Sequence, residues 1–128
     1  MSEDPLTVHD VIAEVRRLAA EEPYRVQAWP PKYVHRTRSG QRVPGQGCII
    51  GEALYRLGLD VLPECEGQPA RDVVRHLVHC RVSDARDLAW LRRVQQAADP
   101  DFRNGVARDG QRWGRAVVFA DEMARTLD

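Results

Sequence analysis

Apolar residues recur at the spacing of one helical face in five stretches of this chain, most of them separated by proline or glycine. That pattern commits the molecule to a helical core before anything else is considered. In the first stretch Val8, Val11, Ile12, Val15, Leu18 and Ala19 form the stripe, Thr7 and Asp10 have capping-box spacing, and Pro23 ends the run. A helix is predicted over about residues 7–20. In the second, Ile50, Ala53, Leu54 and Leu57 predict a helix over residues 48–57, closed by Gly58 in a left-handed cap with Leu59 as its hydrophobic contact. Gly51 inside that helix costs about 1 kcal/mol relative to Ala, which suits a site where another backbone comes close.

Three further helices follow from the same reasoning. One is predicted over about residues 70–80 from Val73, Val74, Leu77 and Val78. Another runs over about 83–98, capped by Ser83 and striped by Ala85, Leu88, Leu91, Val94 and Ala98. The last covers about 111–127, with Trp113, Ala116, Val117, Ala120, Met123, Ala124 and Leu127 on its apolar face.

Residues 24–43 have a different character. Tyr24 to Ala28 and Tyr33 to Thr37 are rich in β-formers, and Arg38-Ser39-Gly40-Gln41 reads as a turn that returns the chain into Arg42-Val43. The fold expected is mainly α: one bundle-like domain of five helices spanning residues 1–128, with a small β-ribbon inserted between the first two.

Charge is segregated on this plan. From residue 23 to residue 51 there is no Asp or Glu, but there are Arg25, Lys32, Arg36, Arg38 and Arg42, with Tyr24, Trp29 and Tyr33 among them. The chain is formally neutral, so the acid lies elsewhere. A basic, aromatic-bearing segment reads either as a surface that meets an anionic or acidic partner or as arginines that pair with the acidic helices of the same molecule. Eighteen of the 19 basic residues are Arg, which fits a GC-rich genome.

Other classes leave little trace. No run of about 18 apolar residues could span a bilayer, and the first five residues are acidic where a secretory leader would be basic, so a cytoplasmic location is expected. Cys48, Cys65 and Cys80 are odd in number and widely spaced, which points to reduced thiols used in packing. His76, His79 and Cys80 at i, i+3 and i+4 of the third helix, with Cys65 just before it, are the candidate metal set, though the spacing matches no known finger and no metal or cofactor is expected. Cys48 at a glycine-flanked helix start, with His35 as a base, is the candidate for thiol chemistry. There is no G-x-S-x-G or H-E-x-x-H, and the glycines at 45, 47 and 51 fit neither phosphate-loop pattern. Residues 70–98 do not make a helix-turn-helix, because Arg86 falls where an apolar residue is needed.

The run from Pro44 to Leu59 (PGQGCIIGEALYRLGL), together with Trp90-Leu91-Arg92-Arg93-Val94-Gln95 and Trp113-Gly114-Arg115-Ala116-Val117, resembles a set of small uncharacterised proteins encoded by actinobacteria and their phages. The resemblance carries no known activity and implies an accessory or phage–host protein that works by binding. The leading expectation is therefore a non-enzymatic protein that engages a host or self protein through Arg36, Arg38, Arg42, Trp29 and Tyr33, with Arg25 and Lys32 beside them. The alternative is a small nucleic-acid-binding regulator, and a metal-dependent or thiol enzyme stands third.

Overall fold

A computed structural model describes residues 5–27, 31–103 and 106–126. In chain order it contains α1 (Val8–Glu21), α2 (Ile49–Arg56), α3 (Ala70–Leu77), α4 (Ala85–Ala98), β1 (Asp101–Arg103), β2 (Val106–Arg108) and α5 (Trp113–Thr126), with 3-10 turns at Pro63–Cys65 and Val82–Asp84. The molecule is mainly helical and bundle-like. Helix α4 is its axis and touches the other four helices, while α1 packs on both α2 and α5.

Each helix is bounded by identifiable chemistry. Thr7 and Asp10 form the expected capping box: the Asp10 carboxylate accepts from the Thr7 N–H at 2.8 Å, and the Thr7 hydroxyl accepts from the Asp10 N–H. The chain leaving α1 then caps α5, because the carbonyls of Arg25 and Pro23 accept from the N–H groups of Trp113 and Gly114 at 2.9 and 3.0 Å. Helix α2 ends in a Schellman motif around Gly58 (φ 79°), with Leu59 N–H bonded to the Leu54 carbonyl and Gly58 N–H to that of Tyr55.

Two helix ends differ from expectation. Helix α3 stops at Leu77, not at residue 80, because Val78 is extended and His79 N–H bonds the Leu6 carbonyl at 2.9 Å, in a parallel bridge between Thr7 and His79. Ser83 does not cap α4. It sits inside a 3-10 turn held by the Asp84 carboxylate on the Arg81 N–H at 2.8 Å, and the helix begins only at Ala85.

The expected β-ribbon between α1 and α2 is absent among the described residues. Residues 35–43 make a tight hairpin with one antiparallel bridge, Arg36 to Arg42, around a turn in which Gly40 takes φ 88°. Residues 31–34 pair with no strand because their backbone is already spent. The Tyr33 and Val34 N–H groups donate to the Glu66 carboxylate at 2.8 and 3.1 Å, and the Lys32 carbonyl accepts from Cys48 N–H at 2.8 Å. Trp29, placed on that ribbon by the sequence, lies outside the described residues. The two-stranded ribbon that does exist follows α4, with Asp101 opposite Arg108 and Arg103 opposite Val106.

Gly51 explains how an irregular segment joins a helical core. It is buried on α2, and a Cβ there would collide with the carbonyl, carbonyl carbon and Cα of Tyr33. Helix propensity alone favours Ala at this position by about 1 kcal/mol. Overpacking against a fixed backbone costs about 1–3 kcal/mol or more, and here it dominates. Gly51→Ala is therefore expected to destabilise the protein by about 2 kcal/mol in denaturant unfolding, against the direction that propensity predicts; an unchanged or raised midpoint would contradict the close approach.

Candidate partner surface and polar cleft

The hairpin at residues 35–43 lies against the outer side of α2 and the loop that follows it. Arg42 joins it to the helix: its guanidinium pairs with Glu52 at 2.8 Å and stacks over the Tyr55 ring, 3.4 Å from the centroid. Glu52 and Tyr55 are three residues apart on α2, so one helical turn supplies both the counter-ion and the aromatic platform. Arg36 ties the hairpin at a second point, donating to the carbonyls of Gly40 (3.1 Å) and Val61 (2.9 Å) and pairing with Asp60 at 3.3 Å. Arg38 is exposed on the turn between them. Beside the hairpin, Tyr55 and Leu62 remain 52% and 50% exposed.

The remaining residues predicted for partner contact are elsewhere. Arg25 pairs with Glu22 at 3.0 Å, donates to the Gly45 carbonyl, and covers the Trp113 ring at 4.1 Å. Tyr33 is only 3% exposed, so it is a core residue and cannot act as a surface anchor. Lys32 is exposed at the rim of a cleft described below. The structure thus groups Arg36, Arg38 and Arg42 on one hairpin and separates them from Tyr33.

That cleft, about 220 Å³, opens between residues 31–33, residues 66–69 and the C-terminal half of α4. Its polar wall is a chain of hydrogen bonds. The Tyr33 hydroxyl donates to the Gln68 carbonyl and accepts from Gln95 Nε2 at 2.6 Å. Gln95 Oε1 in turn accepts from Ala70 N–H at 2.7 Å and from Arg92 at 3.1 Å. Asp99, the extended residue just past the end of α4, accepts from the Gln27 amide, whose own oxygen accepts from Ile49 N–H at 2.9 Å. Sequence reasoning missed Gln27, Gln95 and Asp99. Uncharged amides carry no local signal, and Asp99 falls just past the helix predicted over about 83–98.

Burial sets the protonation of this wall. It pushes the Tyr33 hydroxyl well above its usual range, with nearby Cys48 and Asp99 adding to the effect against the Gln95 hydrogen bond. It also pushes the Cys48 thiol well up, despite hydrogen bonds from Gly51 and Ile50 at the start of α2. A thiol held protonated is not a nucleophile, so the helix N-terminus does not activate Cys48. Of the candidate metal ligands, His76 is helical and exposed, His79 and Cys80 lie in the extended segment after α3, and Cys65 is in the 3-10 turn before it. Among the described residues these four form no convergent group. Comparison with protein-family models, with curated proteins and with solved structures finds no match.

Asp99 carries the clearest pH consequence. Burial raises it from 3.8 to about 6, opposed by the Gln27 hydrogen bond and the Arg92 charge. A carboxyl raised in the folded state binds its proton more readily than the unfolded chain does. Its contribution is full below about pH 4 and is lost as pH rises through about 6. Asp99→Asn, which keeps an acceptor for Gln27, is expected to stabilise the protein at pH 7 by about 1–2 kcal/mol and to flatten the stability curve between about pH 4 and 6. Urea midpoints across that window provide the check, and a loss of stability at pH 7 would contradict it.

Proposed function

We propose that this is a non-enzymatic binding protein that engages another protein through the hairpin at residues 35–43 and the exposed edge of α2 beside it. The observation that carries the reading is the clamping of Arg42 between Glu52 and the ring of Tyr55, which itself stays half-exposed, with half-exposed Leu62 nearby. A surface already held in one shape loses little conformational entropy on binding, and half-exposed aromatic and aliphatic side chains flanked by arginine are the usual makings of a contact centre. The resemblance to small actinobacterial and phage proteins favours an accessory role of this kind.

Nucleic acid is the weaker partner on this surface. Arg25, Arg36 and Arg42 each face an intramolecular carboxylate, which leaves Arg38 as the hairpin's cation best placed to neutralise phosphate. No helix among the described residues is long and apolar enough to cross a membrane.

Arg38 is the residue to change, because Arg36 anchors the hairpin through two carbonyls and its loss would deform the surface. A photo-crosslinking amino acid placed at Arg38 or Tyr55, in the chain expressed in its own source cells, is expected to give one discrete protein adduct; the same probe at exposed Arg125 is expected to give none. Arg38→Glu should reduce the adduct at Tyr55 severalfold while changing stability by no more than about 0.5 kcal/mol. Equal yields at all three positions, or none at any, would remove the hairpin from the proposal. Adducts consisting of nucleic acid would transfer the surface to the alternative reading.

A further inference from the structure

We propose that His9, Asp84 and Asp87 form a binding site for a divalent first-row transition cation, with zinc the ion their donor set suits best, joining the first turn of α1 to the start of α4. His9 Nε2 lies 3.5 Å from Asp87 Oδ2 and 4.0 Å from Asp84 Oδ1. All three candidate ligand atoms fall within 4.8 Å of one another. Donors about 2.0–2.2 Å from a tetrahedral zinc are about 3.3–3.6 Å apart, so the set closes on an ion through small side-chain rotations. His9, with its side chain 72% exposed, and Asp87, at 34%, have room to make them.

The backbone places these residues independently of any ion. The capping box starts α1 at Val8, which sets His9 in its first turn. The bridge between Thr7 and His79 holds that turn beside the segment leading into the Val82–Asp84 turn. Asp87 follows Asp84 by three residues, on the same side of the α4 start.

Asp84 supplies a second and separate indication. Its side chain is only 9% exposed, yet it is a carboxylate whose sole hydrogen bond among the described residues is from the Arg81 N–H to Oδ2. Oδ1 is left facing His9 at 4.0 Å, beyond hydrogen-bond reach. Oδ1 therefore has no donor among the described residues and is open to a ligand, and a second carboxylate close by adds repulsion. A cation between them removes that repulsion, while the Arg81 N–H fixes Asp84 as outer-shell partners orient metal ligands. One imidazole nitrogen with two carboxylate oxygens suits zinc and its neighbours over calcium or magnesium, which prefer all-oxygen shells, and over Cu(I), which prefers sulfur. With three protein ligands, a fourth position faces solvent and takes water.

Calorimetric titration of the full chain with Zn²⁺, chelator-treated beforehand, tests the site. One equivalent is expected to bind and to raise the thermal midpoint. His9→Gln and Asp87→Asn, both at solvent-facing positions, should each weaken binding about tenfold or more and abolish that rise. His76→Gln, at an exposed histidine outside the cluster, should change neither. Cobalt(II) gives an independent readout, because an oxygen–nitrogen site shows ligand-field bands without the thiolate-to-cobalt charge transfer that Cys65 or Cys80 would add. Absence of saturable binding, affinity unchanged in both variants, or a thiolate charge-transfer band would each overturn the proposal.

Discussion

The contact between Gly51 and the backbone of Tyr33 is the constraint on which the rest of this structure depends. A helix seldom accepts a foreign main chain against its own, and α2 does so because position 51 has no side chain and Gly47 just before the helix also has none. With its backbone laid on α2, Tyr33 is aimed at α4, where its hydroxyl meets Gln95. Gln95 then caps α3 through the Ala70 N–H, replacing the cap that Pro69 cannot provide. One tyrosine and one glutamine therefore bind an irregular segment, the start of one helix and the face of another. An unpaired glutamine amide at that depth would cost about 1–3 kcal/mol, which is why so small a network can fix the geometry around it.

The same segment shows how segregated charge is managed in a neutral molecule. Three of its four arginines find counter-ions on adjoining elements: Glu22 at the end of α1, Glu52 on α2 and Asp60 in the following loop. Arg42 and Glu52 are largely buried, so their attraction must offset substantial desolvation, and the Tyr55 ring shields the guanidinium's second face. At the other end of the bundle Arg16 reaches both oxygens of Asp121, which also accepts from the Trp90 indole at 2.9 Å, and the Arg16 guanidinium lies over that indole. The Asp121 carboxyl is held below its usual range mainly by Arg16. Bidentate and stacked contacts of this kind are open to guanidinium and not to ammonium, so an arginine-rich composition is put to structural use whatever its genomic origin.

How much of this was legible in the sequence follows from the range of the forces involved. Helix positions depend on periodicity within a turn or two, and the α1 capping box, the Gly58 cap and the close approach at Gly51 could all be read from local residues. Helix α3 ended early because of Leu6, and Ser83 was drawn into a 3-10 turn closed by Asp84 on the Arg81 N–H, so α4 begins without a side-chain cap. The β-ribbon failed for a longer-range reason. Residues with high β-propensity form strands when nothing better claims their backbone, and here Glu66, 33 residues from Tyr33, claimed it. The candidate site divides along the same line. The cationic residues of the hairpin stand out in any composition scan, whereas the platform beneath Arg42, the Tyr33–Gln95 contact and the His9–Asp84–Asp87 group join residues that no local pattern connects. His76, His79 and Cys80 lose their helical spacing because α3 ends at Leu77.

The polar wall of the cleft is a structural network whose shifted titratable groups are all displaced the same way. Tyr33, Cys48 and Asp99 line one cleft, and each has its protonation shifted by burial toward the uncharged form. Neighbouring groups driven in opposite directions, one toward giving a proton and the other toward taking it, mark an acid–base pair, and this wall has none among Tyr33, Cys48 and Asp99. Asp99 is near enough to push the Cys48 thiol further up, but it is itself displaced upward, so neither group activates the other. Their hydrogen bonds run to backbone groups and amides that hold helices together, as with Gln27 between Asp99 and the start of α2. Such a wall joins α2, α3 and α4 to residues 31–33, the stretch of backbone from which the hairpin at residues 35–43 departs.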